Sequence, residues 1–246
     1  NYVFYKPANG SWVDRAIAGV LFKDAFETTT NVIWVVGNEN NVTNQAVVWS
    51  HGNGWSDITD DLFPTSVYPS GPPTKTLWGV WGIDQQTNWI VGHDMIFSCE
   101  QICEEEDYTN LPDAFVLHDI HGTSQSDIWA GGVENSTNNG ITFNNFGNSW
   151  TKTMSPSFAD NTVILGVCAD DTTQADDVWV VGKKNEECFT AYGYYDDDNT
   201  QPGYKGSEIA CPNTQPNPPL EGVWIDPDGV VWAVGANGRI IRYDPN

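Results

Sequence analysis

Basic residues are scarce in this sequence, and no stretch of it is apolar over the length of a membrane span. Lys and Arg total 10 against 33 Asp and Glu, which gives a formal net charge of −23. Such a charge repels the phosphates of nucleic acids and the anionic headgroups of membranes. No apolar run approaches the roughly 18 residues of a membrane-spanning helix. The sequence therefore argues against nucleic acid as a partner and against membrane insertion.

The sequence motifs of common enzymes are also lacking. There is no Gly-x-Ser-x-Gly, no His-Glu-x-x-His and no Gly-rich loop of the phosphate-binding type. These absences argue against serine hydrolases, zinc peptidases and nucleotide-driven enzymes. We therefore expect a protein that is not an enzyme.

Aromatic and turn-forming residues are abundant instead. The chain has 12 Trp, 10 Phe and 9 Tyr together with 23 Gly and 14 Pro. Aromatic side chains favour half-buried β-strands, whereas Gly and Pro favour tight turns. The composition predicts an all-β fold.

A repeat of the pattern Trp-x-x-Gly organises this composition. It occurs in residues 34–37, 89–92, 129–132, 179–182 and 232–235. A second element, an apolar residue followed two positions later by Gly or Asp and then Val or Ile, precedes each copy. Its predicted copies are residues 17–20, 77–80, 117–120, 164–167 and 220–223. Units of 40 to 55 residues containing three or four short strands are typical of β-propeller blades.

We therefore predict a five-bladed β-propeller that forms a single domain over residues 1–246. The segment Tyr2 to Tyr5 is expected to pair with the last strand, around Arg239 to Tyr243, and to complete the fifth blade. Residues 15–27 also fit an amphipathic helix, but the repeat favours strand. The units resemble the Val-Trp-Ala-Val-Gly repeats of secreted bacterial propeller proteins such as those of myxobacteria. This resemblance implies the fold and no fixed catalytic residues.

The five cysteines divide into four in polar segments and one in an apolar strand. We predict the disulfides Cys99–Cys103 and Cys188–Cys211 and a buried thiol at Cys168. Disulfides require an oxidising compartment. The protein is accordingly expected to be secreted, periplasmic or displayed on the cell surface.

Long polar segments suggest where a ligand binds. Residues 60–76, 99–114 and 183–203, with a further segment up to Pro219, are predicted to be loops on one face. Aromatic rings with a polar tip suit sugars and protein surfaces. The predicted ligand-binding residues are Tyr68, His93, Tyr108, Tyr192, Tyr194, Tyr195 and Tyr204. We expect a surface protein or a glycan as the partner.

Two further functions stay open as alternatives. A glycoside-cleaving propeller needs two opposed carboxylates, and the predicted innermost strands offer Asp119 and Glu221. A metal-binding secreted protein is the other alternative. Calcium is the candidate cofactor, with Asp196, Asp197 and Asp198 as ligands. The spacing of Trp49 and His51 weakly suggests copper.

Overall fold

The chain folds almost entirely into short antiparallel strands. The structure, a computed structural model, describes residues 2–5, 11, 13–40, 44–52, 54–108, 114–147, 149–153, 158, 161–170, 177–196, 203–212 and 217–244. A short helix, α1, lies at Thr59–Leu62. No helix of the described residues is both long enough and apolar enough to cross a membrane.

The strands of the first half are β1 Tyr2–Tyr5, β2 Val13–Ala16, β3 Val20–Glu27, β4 Ile33–Glu39, β5 Ala46–His51, β6 Trp55–Asp57, β7 Leu77–Gly82, β8 Asn88–Gly92, β9 Met95–Cys99 and β10 Cys103–Glu105. Those of the second half are β11 Phe115–Ser124, β12 Asp127–Glu134, β13 Asn139–Asn145, β14 Trp150–Thr153, β15 Thr162–Asp170, β16 Asp177–Lys184, β17 Glu187–Asp196, β18 Gly203–Glu208, β19 Leu220–Ile225, β20 Val231–Gly235 and β21 Arg239–Tyr243.

These strands form five repeated sheets and one hairpin. Sheets 1 to 4 consist of β3–β6, β7–β10, β11–β14 and β15–β18, and each pairs its four strands in chain order. Sheet 5 has three described strands, β19–β21, whereas β1 and β2 pair with each other. The all-β fold and its repeated antiparallel sheets are confirmed.

The chain divides into two compact units. One contains Asn1–Gly92 with Phe97–Glu104, and the other contains His93–Ile96 with Glu105–Asn246. In the first unit β3 contacts β7; in the second β11 contacts β15, and β15 contacts β19. Successive sheets within a unit therefore pack through their first strands. The single domain over the whole chain stays a prediction.

The glycine of the Trp-x-x-Gly pattern is explained by an irregularity in the neighbouring strand. In all five sheets the first strand has a β-bulge opposite this glycine. The bulge brings the backbone so close that a Cβ on Gly132 would collide with the carbonyl oxygen of Val116 and lie 2.8 Å from the Cα of Leu117. Gly37, Gly182 and Gly235 face the same obstruction. The repeat thus marks a backbone contact as well as a strand.

The first copy of the preceding element was assigned to the wrong residues. The bulge of sheet 1 lies between Phe22 and Asp24, opposite Gly37 and Val36. Residues 18–19 form a turn, and Gly19 has a positive φ of 78°. The true first copy is therefore residues 22–25, where Ala25 stands in place of the Val or Ile of the other copies. The strand prediction for residues 20–27 is confirmed against the helix.

The terminal strands do not show the predicted pairing in the described residues. Strand β1 pairs with β2 from Tyr2 opposite Ala16 to Tyr5 opposite Val13. Strand β21 pairs with β20. Closure of a five-bladed ring by these strands stays a prediction.

The segment 183–203 was wrongly predicted to be a loop between the second and third strands. Strands β16 and β17 are joined by a tight turn at Asn185 and Glu186, both with positive φ. Residues 187–196 then continue as strand β17, which pairs with β18. Alternating polar and aromatic residues in this segment are therefore the two sides of a strand.

Candidate binding surface

Two of the predicted ligand-binding tyrosines hold their own loops in place. The Tyr68 hydroxyl donates to the carbonyl oxygen of Cys103 at 2.7 Å, and its ring packs edge-on against Phe63. The Tyr108 hydroxyl lies 2.9 Å from the carbonyl oxygen of Asp94 and 2.8 Å from Glu105 Oε1. Burial, reinforced by the hydrogen bond to Glu105, raises the pKa of Tyr108. Their polar tips are engaged within the protein, and their role in ligand binding stays a prediction.

The other predicted residues do not join them. His93 forms an isolated bridge with Val116, and the Tyr192 ring packs against Trp179 at 5.1 Å between centroids. Tyr194, Tyr195 and Tyr204 lie on β17 and β18, where Tyr195 pairs with Tyr204; their side chains lie outside the described residues. The four tyrosines of residues 192–204 thus lie on strands and not on the predicted loop. No contact among the described side chains joins the predicted residues into one site.

The predicted metal ligands are mostly outside the described residues. Asp196 ends β17, and Asp197 and Asp198 follow it in the segment that is not described. Among described residues no group of three or more His, Cys, Asp or Glu side chains is arranged to hold a metal ion. The His51 ring packs against Trp55 at 4.9 Å. Calcium and copper stay untested.

The two predicted disulfides are present, which confirms both pairings. Cys99 joins Cys103 across the turn from β9 to β10, and Cys188 at the start of β17 joins Cys211. Cys168 is a buried thiol on β15.

The candidate acid Asp119 connects two sheets. Its Oδ2 accepts the Val167 N–H at 2.7 Å, and its Oδ1 accepts the Ile120 N–H at 2.8 Å. Asp24 makes the same pair of bonds in sheet 1, to the N–H groups of Val80 at 2.9 Å and Ala25 at 2.7 Å. Glu221, the other candidate, is exposed on β19. The shared pattern of Asp119 and Asp24 is explained by sheet packing and needs no catalytic role.

Asp24 makes protein stability depend on pH. Burial raises the pKa of Asp24 to about 6, against the opposing effect of the Val80 and Ala25 N–H groups. The pKa of Asp24 is 3.8 in the unfolded chain and about 6 in the folded protein. Between these two pH values the folded state binds more protons than the unfolded state. Stability is therefore highest below this window and falls as pH rises through it. We expect this carboxyl to lower the unfolding free energy by on the order of 2 to 3 kcal/mol from pH 4 to pH 7.

Urea denaturation of wild type and Asp24→Asn at pH 4, 5, 6 and 7 measures this effect. Asn loses one acceptor but does not titrate, so the decisive quantity is the slope of stability against pH. Repulsion among the other acids is common to both proteins. Parallel slopes would show that Asp24 does not titrate in this window.

An exposed apolar surface lies instead on sheet 5. We call it the open face, and it consists of Trp224, Trp232, Val234, Ile240 and Arg242. Trp224 is 55% exposed, Val234 49% and Ile240 67%. Apolar side chains clustered in this way on a sheet usually indicate a binding surface.

The strand register of sheet 5 creates the open face. Trp224, Trp232 and Arg242 are directly opposite one another on the three strands, and Val234 lies beside Ile240 in the next row. Side chains alternate along a strand, so the intervening residues point the other way. Leu220 and Ala233 accordingly pack with Val181 of sheet 4.

The corresponding position is covered in the other sheets. The Trp equivalent to Trp232 is buried in each, as Trp34, Trp89, Trp129 and Trp179. Trp129 packs into the core of sheet 4, and Trp179 contacts the Tyr243 ring at 5.0 Å. Trp232 differs because it is 36% exposed.

Polar groups border the two indoles of the open face. Asp226 Oδ2 accepts the Trp232 Nε1–H at 3.3 Å, and the Arg242 guanidinium lies 5.8 Å from the Trp232 ring centre. The Val230 N–H holds the pKa of Asp226 below its usual value. This combination of flat apolar rings and charged edges can bind a protein surface or stack against a sugar.

Sequence reasoning missed the open face because it looked for binding residues in the long polar segments. No signal in the sequence distinguishes sheet 5, because sheet 2 has the same pair of Trp, Trp81 and Trp89, and both are buried. Exposure depends on which element covers a sheet, and the residues of that sheet do not encode it.

Comparison with solved structures identifies the architecture as that of the β-propellers. YCF48 bound to D1 peptide matches with a TM-score of 0.57 and 15% identity, covering 99% of this chain and 67% of that one. The luciferin-regenerating enzyme matches with a TM-score of 0.58 and 11% identity, covering 98% and 76%. The extracellular domain of a one-component system from B. thetaiotaomicron gives 0.59 and 11%, covering 98% and 31%. No protein-family model and no curated protein matches the sequence.

Identities this low define the fold and leave the activity open. These neighbours include an enzyme, a protein with a bound peptide and an extracellular domain. A fold shared by such different proteins does not determine function.

Proposed function

We propose that this protein is an extracellular binding propeller that recognises a protein partner through the open face of sheet 5. The observation that carries the proposal is the exposure of Trp224 and Trp232, because the Trp equivalent to Trp232 is buried in each of the other sheets. Trp and Arg are the residues most enriched among those that dominate protein–protein affinity. The open face presents two Trp, one Arg and two aliphatic side chains together.

Other features support an extracellular binding role. Two disulfides suit an oxidising compartment. One solved neighbour is an extracellular domain, and another has a bound peptide. The net charge of −23 favours a partner with a basic surface.

Trp224→Ala/Trp232→Ala tests the proposal. Wild type is immobilised and exposed to surface proteins of the source cells, and a captured protein is then purified for titration. We expect the double variant to bind it at least about 30-fold more weakly, as the loss of two central aromatic contacts would cause. Val67→Ala, which alters another exposed apolar side chain, is the matched control. Equal affinities for all three proteins would contradict the proposal.

The state of the open face without a partner is measured separately. The fluorescence of Trp224 is obtained as the difference between wild type and Trp224→Phe, and acrylamide quenching reports its accessibility. We expect efficient quenching that decreases when the partner binds. Closure of a five-bladed ring would instead cover the face with the chain's own residues. A Trp224 protected in the unbound protein would support closure and overturn the proposed interface.

Carbohydrate recognition is the second candidate function. The pairing of Trp224 opposite Trp232, bordered by Asp226 and Arg242, favours it because sugars stack on indole rings. A glycan array run with calcium and again with EDTA tests this candidate. Selective binding that Trp232→Ala abolishes would identify a lectin, and its loss in EDTA would assign calcium a role. A blank array in both conditions would remove the carbohydrate candidate.

A further inference from the structure

Two side chains of sheet 3 bind backbone amides of sheet 4. Strand β15 is the first strand of sheet 4 and pairs with β16 on one side. Asp119 Oδ2 on β11 accepts the Val167 N–H of β15 at 2.7 Å, and His121 Nδ1 accepts the Ala169 N–H at 3.1 Å. Both amides belong to buried residues, and a buried N–H without a partner costs free energy. Asp119 and His121 thus hold β11 against β15 within the second compact unit.

The two hydrogen bonds differ in how they respond to acid. Asp119 keeps an accepting oxygen when it is protonated, because a carboxyl group retains its carbonyl oxygen. An imidazole nitrogen accepts a hydrogen bond only when it carries no proton of its own. His121 is therefore neutral in this contact, and its proton lies on Nε2. Protonation would place a second donor, Nδ1–H, against the Ala169 N–H.

We propose that His121 makes the contact between sheets 3 and 4 sensitive to pH, so that acid releases the Ala169 amide while the bond from Val167 to Asp119 persists. Histidine is the side chain whose ordinary titration falls between pH 5 and pH 8. An imidazolium either opposes the N–H or rotates away from it, and in both cases the buried amide loses its partner. The consequence is a local loosening near the end of β15. This inference goes beyond the proposed binding function and does not rest on the open face.

Titratable groups are present on each strand that packs against this histidine. They are His118 and Asp119 on β11, Asp127 on β12, Cys168 and Asp170 on β15, and Asp177 on β16, where the side chains of Asp170 and Asp177 lie outside the described residues. Asp127 Oδ1 accepts the Trp129 Nε1–H at 2.9 Å, and Trp129 is directly opposite His121. Carboxylates at Asp119 and Asp127 stabilise positive charge on a neighbouring imidazole. They therefore favour the form that releases Ala169.

The first compact unit has the same carboxylate contact without the histidine. Asp24 Oδ2 of sheet 1 accepts the Val80 N–H of sheet 2 at 2.9 Å. Two positions further along β3, at the place of His121, the chain has Phe26, whose ring lies 6.1 Å from that of Trp81. A phenyl ring has no nitrogen to protonate and no acceptor to lose. At this position the response to acid therefore belongs to the second unit.

Nuclear magnetic resonance of the whole protein labelled with ¹⁵N observes the bond directly. A hydrogen bond from N–H to a ring nitrogen transmits a scalar coupling between the two nitrogens, here Ala169 N and His121 Nδ1. We expect this coupling at pH 8 and its loss at pH 5, across the range in which histidine titrates. The Nδ1 chemical shift should change to that of a protonated nitrogen over the same pH range.

Hydrogen exchange measures the release of the amide, expressed as a protection factor so that the intrinsic dependence of exchange on pH is removed. From pH 8 to pH 5 we expect the protection of Ala169 to fall at least about tenfold and that of Val167 less than about twofold. His121→Asn is the matched variant, because its amide oxygen can accept in place of Nδ1 and does not titrate. We expect its Ala169 protection to stay constant. His121→Phe has no acceptor and should show low Ala169 protection at both pH values.

Three results would overturn the proposal. One is a coupling that persists at pH 5, and another is a coupling already absent at pH 8, which would mean that the bond does not form. The third is an equal loss of Ala169 protection in wild type and His121→Asn, which would assign the loosening to other groups. These readouts lie within sheets 3 and 4, so none of the results bears on the open face.

Discussion

Replacing Gly132 with alanine is expected to lower the unfolding free energy by about 3 to 5 kcal/mol. The new Cβ would collide with the Val116 carbonyl oxygen and lie 2.8 Å from the Leu117 Cα. Both are backbone atoms, so no side-chain rotation relieves the overlap. Relief requires β11 and β12 to separate at the bulge, which disrupts the buried core around Trp129. A domain stabilised by only 5 to 15 kcal/mol cannot absorb many such losses.

Urea denaturation monitored by circular dichroism measures the loss, with the soluble yield as a first indication. Gly54→Ala is the matched control, because no atom lies within 4 Å of a Cβ at that position. We expect it to change stability by less than about 0.5 kcal/mol. A Gly132→Ala protein as stable as this control would show that the bulge is not fixed in position.

The role of Gly132 shows how far the repeat could be interpreted from sequence. The pattern correctly predicted β4, β8, β12, β16 and β20, because Trp and β-branched residues next to Gly and Asn leave few alternatives. The reason for the glycine could not be predicted, since the obstructing carbonyl belongs to a residue 16 to 19 positions earlier in sequence, as Val116 is relative to Gly132. The bulge that creates it is visible only in the pairing register.

Sheet 1 shows the limit of pattern matching more directly. Residues 22–25 end in Ala25 where the other copies end in Val or Ile, and they share Asp at the third position with Asp119 of sheet 3. Asp24 is polar in sequence, but its carboxylate accepts two backbone N–H groups and fits within the packed sheets. A search for a copy ending in Val or Ile therefore chose residues 17–20, where the chain turns.

The structural contacts of two predicted ligand-binding tyrosines could not be predicted for a similar reason. Tyr68 and Tyr108 have the composition of ligand contacts, and sequence could not show that the carbonyl groups of Cys103 and Asp94 bind their hydroxyls. Both acceptors are set by tertiary structure. The disulfides were predictable, in contrast, because the four half-cystines lie in polar segments and pair within 23 residues or fewer.

The disulfide Cys188–Cys211 is expected to add about 3.5 kcal/mol to the unfolding free energy, more than the disulfide Cys99–Cys103 adds. It closes a segment with a sequence separation of 23, whereas Cys99–Cys103 closes one of 4 and is expected to contribute about 2 kcal/mol. Both figures reflect the entropy that a cross-link removes from the unfolded chain. Cys188→Ser/Cys211→Ser and Cys99→Ser/Cys103→Ser, denatured in urea without reductant, measure the two contributions.

The native structure around Cys211 should survive loss of this disulfide, because other contacts hold the same segment. The Arg239 guanidinium donates to the carbonyl oxygens of Pro212 at 3.1 Å and Pro218 at 3.3 Å, and the Cys188 N–H donates to the Asn217 carbonyl oxygen at 3.0 Å. We therefore expect unchanged hydrogen exchange in residues 209–212 and 217–219 and a larger dependence of unfolding free energy on urea, since the unfolded chain becomes less compact. Faster exchange there with an unchanged urea dependence would instead mean that the disulfide acts by ordering the folded state. Equal losses for the two double variants would show that the length of the closed segment does not determine the stabilisation.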